Sequence, residues 1–153
     1  MFGKKSVSLT GNDTLLLAGR VITDVADKSW AELTYPNNLV EVKVGKNGNS
    51  IYALNASGLI AELVVRLIRG SSDDTFLNGL LVSQKADLST FILLKGQLVK
   101  RVGDGFGNVT QDVYYVDGGV FQTQVIVSSN AEGDSEQSVS IYRLRFTNAD
   151  RAV

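Results

Sequence analysis

The stretch "SGLIAELVVRLIRGSSDDTFLNGLL", Ser57 to Leu81, decides the fold, because its first half fits two periods. Glu62, Arg66 and Arg69 fall at spacings of four and three, one face of a helix. Read with period two, Ala61, Leu63, Val65 and Leu67 form one apolar face, and Ile60, Glu62, Val64, Arg66 and Ile68 form a mixed one. The second half tips the choice. Ser71 or Ser72 can cap the first free N–H groups of a helix. Asp73 and Asp74 then stand in its first turn, where the helix dipole favours negative charge. Phe76, Leu77, Leu80 and Leu81 follow as an apolar face, with Leu88 beyond. A helix over 59–69 would run almost directly into this one across Gly70. The β-branched residues Ile60, Val64, Val65 and Ile68 weaken a helix and favour a strand. The expectation is a strand over 59–69 and a helix from Ser71 or Ser72.

Outward from this stretch, short β-like runs recur between turn signals. "TLLLAGRVITDV" leads into the polar "ADKSWAELTYPNN". In "LVEVKV", Val40, Val42 and Val44 point one way and Glu41 and Lys43 the other, the pattern of a half-buried strand. "GKNGN" between it and "SIYAL" is a hairpin signal, because Asn-Gly tolerates the positive φ values of a tight turn. "TFILLKGQLVKRV" reads as a strand bent at Gly96, and "GDGFGN" as a turn. "QDVYYV", "VFQTQVIVSS" and "SVSIYRLRFT" are strand-like, the last two separated by the acidic loop "NAEGDSEQ". In the last run Arg143 and Arg145 alternate with Tyr142, Leu144 and Phe146. Val139 and Ile141 share the arginines' parity, so a bulge is expected near there. No biased linker divides the chain. It reads as one domain over 1–153, mainly β with one α-helix, built as a β-sandwich or partial barrel.

Composition narrows the chemistry. A formal net charge of −1 gives no support for a protein that coats DNA, which needs a basic excess. The chain has no cysteine and no histidine. A thiolate nucleophile, a zinc–sulfur site and the commonest general base are thereby excluded. No segment reaches the roughly 18 uninterrupted apolar residues of a membrane span, and "MFGKKSVSLTGNDT" lacks the apolar core of a secretory signal. "DGFGN", Asp104 to Asn108, lacks the later bidentate glutamate of a calcium loop and the Lys-Ser/Thr of a phosphate cradle, which leaves a hairpin turn. Asp73 and Asp74 are adjacent on a helix and do not face each other. Asp112, Asp117, Glu132, Asp134 and Glu136 form no convincing constellation. No catalytic residue, metal or cofactor is expected, and no enzymatic activity. Trp30 reads either as an interface anchor or as a side chain packed on its own core.

The order of strand, Gly-Ser and helix in "SGLIAELVVRLIRGSSDDTFLNGLL" resembles the tail tube proteins of contractile-tailed bacteriophages. "DVYYVDGGVFQTQV" and the closing hairpin "VFQTQVIVSSNAEGDSEQSVSIYRLRF" resemble the same family. The match runs in order from about Ser6 to Phe146 and is one of length, order and pattern. Tube proteins of type VI secretion and pyocin-like particles are similar. The resemblance implies a structural virion protein of the tail, assembled in the host bacterial cytoplasm. Hexameric rings of it would stack into a hollow tube inside a sheath, with baseplate and tail-terminator proteins as further partners. DNA would pass through the lumen without specific binding. The strands near Leu39–Val44, Leu59–Arg69, Val120–Ser128 and Ser138–Phe146 would form the channel wall, with Glu41, Lys43, Glu62, Arg66, Gln122 and Gln124 facing the lumen. Ring stacking would fall to Phe2, Lys4, Lys5, Asp27, Lys28, Trp30, Glu32, Tyr35 and Pro36. The alternative is a stand-alone β-sandwich binding module, which would be a stable monomer.

Overall fold

The computed structural model describes residues 8–9, 13–26, 29–126 and 138–152. In chain order the strands are β1 (Ser8–Leu9), β2 (Thr14–Leu17), β3 (Arg20–Ile22), β4 (Ala31–Thr34), β5 (Val40–Val44) and β6 (Ser50–Leu54). A 3-10 turn, Ala56–Leu59, precedes β7 (Ala61–Ile68). The helix α1 (Ser72–Ala86) follows, and then β8 (Leu94–Gly103), β9 (Val109–Phe121) and β10 (Val139–Ala152).

The ambiguous stretch is a strand. Ala61, Leu63, Val65 and Leu67 are buried in strict alternation, while Glu62, Val64 and Arg66 are half-buried on the other face. Antiparallel pairing with β10 on one side and β4 on the other holds β7 in place. Seven strands run in the order β3-β2-β8-β9-β10-β7-β4, and β1 pairs off this path with β8. The sheet is antiparallel and curls into a half-barrel. The fold is mainly β with one helix, as the sequence pattern predicts.

Ser71 is the helix N-cap, its hydroxyl accepting from the Asp74 N–H at 3.2 Å. α1 lies on the apolar face of the sheet, with Leu77 and Leu81 buried and Phe76 and Leu80 partly so. Leu88 is not part of that face: it falls beyond the helix and is 60% exposed. The core beneath α1 joins Leu15 and Leu17 from β2 to Leu63, Val65 and Leu67 from β7. Phe121 from β9 and Tyr142, Leu144 and Phe146 from β10 complete it. Burial of each such side chain contributes about 1.5–3 kcal/mol relative to exposure.

The bulge expected in the last strand lies elsewhere. β10 pairs with β7 without a break from Val139 to Phe146, so Val139, Ile141, Arg143 and Arg145 share one mixed face. The irregularity lies in the neighbouring chain. The regular part of β9 ends at Phe121; the Gln122 N–H still donates to the Arg143 carbonyl and the Ile126 N–H to the Ile141 carbonyl. Two extra residues are therefore accommodated between them, and the expected strand Val120–Ser128 is interrupted. A second irregularity sits between β8 and β9. Leu94 opposes Gly119, yet Gly96 opposes Val116. The extra residue falls at Asp117–Gly118, where Gly118 takes a φ of +66. Beyond this point the buried side of β10 changes parity: Phe146 and Ala149 are both buried.

β5 and β6 stand apart. They pair only with each other, as a two-stranded ribbon. The expectation of a half-buried β5 is corrected: all five residues are exposed, because no other described element covers the valine side.

Candidate functional site

The candidate lumen residues fall into three places. Glu62 and Arg66 lie together on the face of the sheet opposite the core. There Arg66 reaches the Ser29 carbonyl at 2.6 Å and Glu32 at 3.4 Å, and Arg143 approaches Glu62 at 3.8 Å. This face is mixed: Arg66 and Arg143 meet carboxylates, and Arg145 lies on it as well. Glu41 and Lys43 sit on one side of the detached ribbon. Gln122 and Gln124 lie past the end of β9, and Gln124 accepts from Lys85 Nζ of α1 at 3.2 Å.

Of the candidate stacking residues, Phe2, Lys4, Lys5, Asp27 and Lys28 lie outside the described residues. Trp30 is half-buried and packs against the core of its own chain. It lines a small cavity of about 100 Å³ with Asp13, Ala31, Leu98, Lys100 and Tyr114. Tyr35 is exposed, and its hydroxyl donates to the Ala149 carbonyl at 2.8 Å. Glu32 is held by Arg66, and Pro36 is exposed.

The most developed polar constellation is one that helix capping alone does not explain. Asp73 is 1% exposed and accepts three hydrogen bonds: Arg20 Nε at 2.7 Å, the Thr23 N–H at 2.7 Å and the Asp24 N–H at 2.8 Å. Burial pushes its carboxyl up. The N–H of Asp24, the guanidinium of Arg20 and the N–H of Thr23 outweigh that, so the net shift is downward. Arg20 also stacks over Phe76, 5.1 Å from the ring centroid. Asp74 points the other way. It accepts from the Gly70 N–H at 2.8 Å, Ser140 Oγ at 3.0 Å and the Tyr142 hydroxyl at 2.5 Å. Adjacent carboxylates thus tie the first turn of α1 to β3 on one side and β10 on the other. Both are saturated with donors, which makes them structural clasps. At the other end, Gln84 donates to the Phe121 carbonyl at 2.9 Å and accepts from its N–H at 2.8 Å.

Burial and then the Asp74 carboxylate push the Tyr142 hydroxyl well above the usual tyrosine range. Tyr142→Phe leaves the ring in place and removes one donor. It is expected to destabilise the chain by about 1–2 kcal/mol, read as a lower urea midpoint at unchanged slope.

The "GDGFGN" turn is built around Asp104, which accepts from the N–H groups of Phe106 and Asn108 and from the Asn108 amide. The Asn108 amide and then the Phe106 N–H hold its carboxyl below the usual range. Its oxygens are engaged within the turn, in agreement with the hairpin reading. Asp112 forms a two-point pair with Arg151 at 2.8 and 3.0 Å.

The neck of the β5–β6 ribbon is closely fitted. The Asn55 N–H donates to the Leu39 carbonyl at 2.7 Å, and its side-chain amide donates to the Asn38 carbonyl at 3.0 Å. Asn37 reaches across to the Ser57 carbonyl at 3.2 Å. Gly58 is buried there; a Cβ on it would sit 2.6 Å from both the Asn38 carbonyl oxygen and Leu39 Cα. Above this neck, opposed pairs share a face, so Val40, Val42, Val44, Tyr52 and Leu54 form one apolar side.

No family model matches the chain, and no curated protein matches it. Among solved structures, the fold is similar to a chain in the cryo-EM structure of the anti-feeding prophage baseplate, 6-fold symmetrised. The TM-score is 0.50 at 9% sequence identity, and the likeness covers 92% of this chain and 90% of that one.

Proposed function

We propose that the chain is a structural, non-enzymatic subunit of a contractile injection particle, in which six copies form a ring and rings stack into a hollow tube. The observation that carries this reading is the likeness over nearly the full length of both chains to a component of a six-fold averaged prophage particle. Two physical features support it. The half-barrel is unclosed and leaves β3 and β4 as edges, which neighbouring copies can cover. The exposed apolar ribbon is also a surface that calls for a partner. In such a ring the sheet face carrying Glu62, Arg66, Arg143 and Arg145 turns to the channel and α1 turns outward, toward a sheath. Pairing of Arg66 with Glu32 and of Arg143 with Glu62 lowers the positive charge of that wall and with it the affinity for a passing nucleic acid. In a phage the tube conducts DNA into the host; in a secretion or bacteriocin particle it forms the piercing shaft.

A second reading, favoured by the neighbour's description as a baseplate, is a ring that ends or starts the tube and does not stack on itself. Size exclusion with light scattering, alongside negative-stain electron microscopy, distinguishes these. The tube reading expects mass that grows with concentration and hollow tubes of uniform width. Single rings at every concentration would favour the baseplate reading. A monomer throughout would overturn both.

A further inference from the structure

Two apolar surfaces of this chain have no cover from any described element. The first is the ribbon side formed by Val40, Val42, Val44, Tyr52 and Leu54, which are 43% to 72% exposed. The second is a groove of about 410 Å³ at the C-terminal end of α1, where Leu80 and Ala86 face Phe91 and Ile92 of the following loop. Ile92 is 86% exposed, and Val82 and Leu88 beside the groove are exposed too.

We infer that the ribbon of one copy lays its apolar side into the helix-end groove of a second copy. This rests on the assembly reading above and adds the contact itself. A two-stranded ribbon is marginal in water unless its apolar side is packed. Here no described element of its own chain packs it, and a second copy would supply the cover. The groove has the matching chemistry: the only charge among its lining residues is Asp87. The ribbon's charges, Glu41 and Lys43, lie on the opposite side, and Lys46 stands in the turn at its tip, free to meet Asp87 at the groove's rim. A five-residue strand spans about 17 Å, comparable with the last turns of α1 and the loop beyond. The two surfaces differ, so the contact is head to tail. Each copy then offers one of each, and copies propagate into a closed ring or a filament.

The absence of cysteine makes the test direct. Chains carrying Val42→Cys and chains carrying Ile92→Cys are oxidised separately and as a mixture, with circular dichroism confirming that each folds. The expected result is a disulfide-linked pair in the mixture, little product from either variant alone, and a ladder of multimers from the double variant. Efficient linking of Val42→Cys chains to each other would overturn the proposal in favour of ribbon on ribbon. Particles in the microscope with no link in the mixture would also overturn it while leaving the assembly reading intact. A monomer with no link removes both.

Discussion

Asp73→Ala is expected to cost about 3 kcal/mol, among the largest effects of any single polar substitution in this chain. The estimate follows from what it strands. The N–H groups of Thr23 and Asp24 lose their acceptor in a part-buried setting, at about 1–3 kcal/mol each. Arg20 is 41% exposed and can turn to water, so its share is small. The pH dependence has a definite sign. The carboxyl sits below its ordinary value of 3.8 in the folded chain. Its contribution is therefore fully present above about pH 4 and is lost as pH falls through the folded value. Urea midpoints measured from pH 7 to pH 2 should fall less steeply at the acid end for Asp73→Asn than for the natural chain. Equal slopes would show that the clasp carries no charge-dependent stability.

Gly96→Ala is expected to cost about 3 kcal/mol through a different mechanism. The added Cβ would sit 2.3 Å from the Leu16 carbonyl oxygen and 3.3 Å from Leu17 Cδ1. The first neighbour is backbone, so it cannot rotate away, and the β2–β8 ladder must open. Leu15 and Leu17 are 0% exposed, and moving β2 disturbs the core they fill. Gly79→Ala provides the contrast. A Cβ there meets nothing within 4 Å, and in an exposed helix it should stabilise by about 0.5–1 kcal/mol. Denaturation of all three chains at one protein concentration checks the pair, since assembly would otherwise shift the midpoints. A Gly96→Ala chain as stable as the natural one would mean that β2 does not hold this close register.

What was legible in the sequence was local. Period-two burial in β7 and the Ser-Asp-Asp start of α1 depend only on neighbours along the chain, and both stand as expected. Three things were not legible. The valine alternation of β5 reports which way side chains point, but not whether anything waits on that side. The parity change near Gly118 and Thr147 needs the opposed strands in view, since it arises from an extra residue against β8. The roles of Arg20, Gln84 and Ser140 come from partners 53, 37 and 66 residues away in the chain, and no spacing rule reaches that far. Trp30 left two readings open from sequence; the structure packs it in part on its own core and leaves it half-buried.

The pinched neck at Asn38, Asn55 and Gly58 separates two kinds of selection. Its crossing hydrogen bonds fix where the ribbon begins and ends, whatever lies between them. Closing a longer or shorter loop over fixed ends changes the entropy only slowly, by about 0.6 kcal/mol per doubling. The length and sequence of the ribbon are therefore only weakly tied to the folding of the half-barrel. A foreign hairpin grafted between Leu39 and Asn55 would inherit a finished foundation.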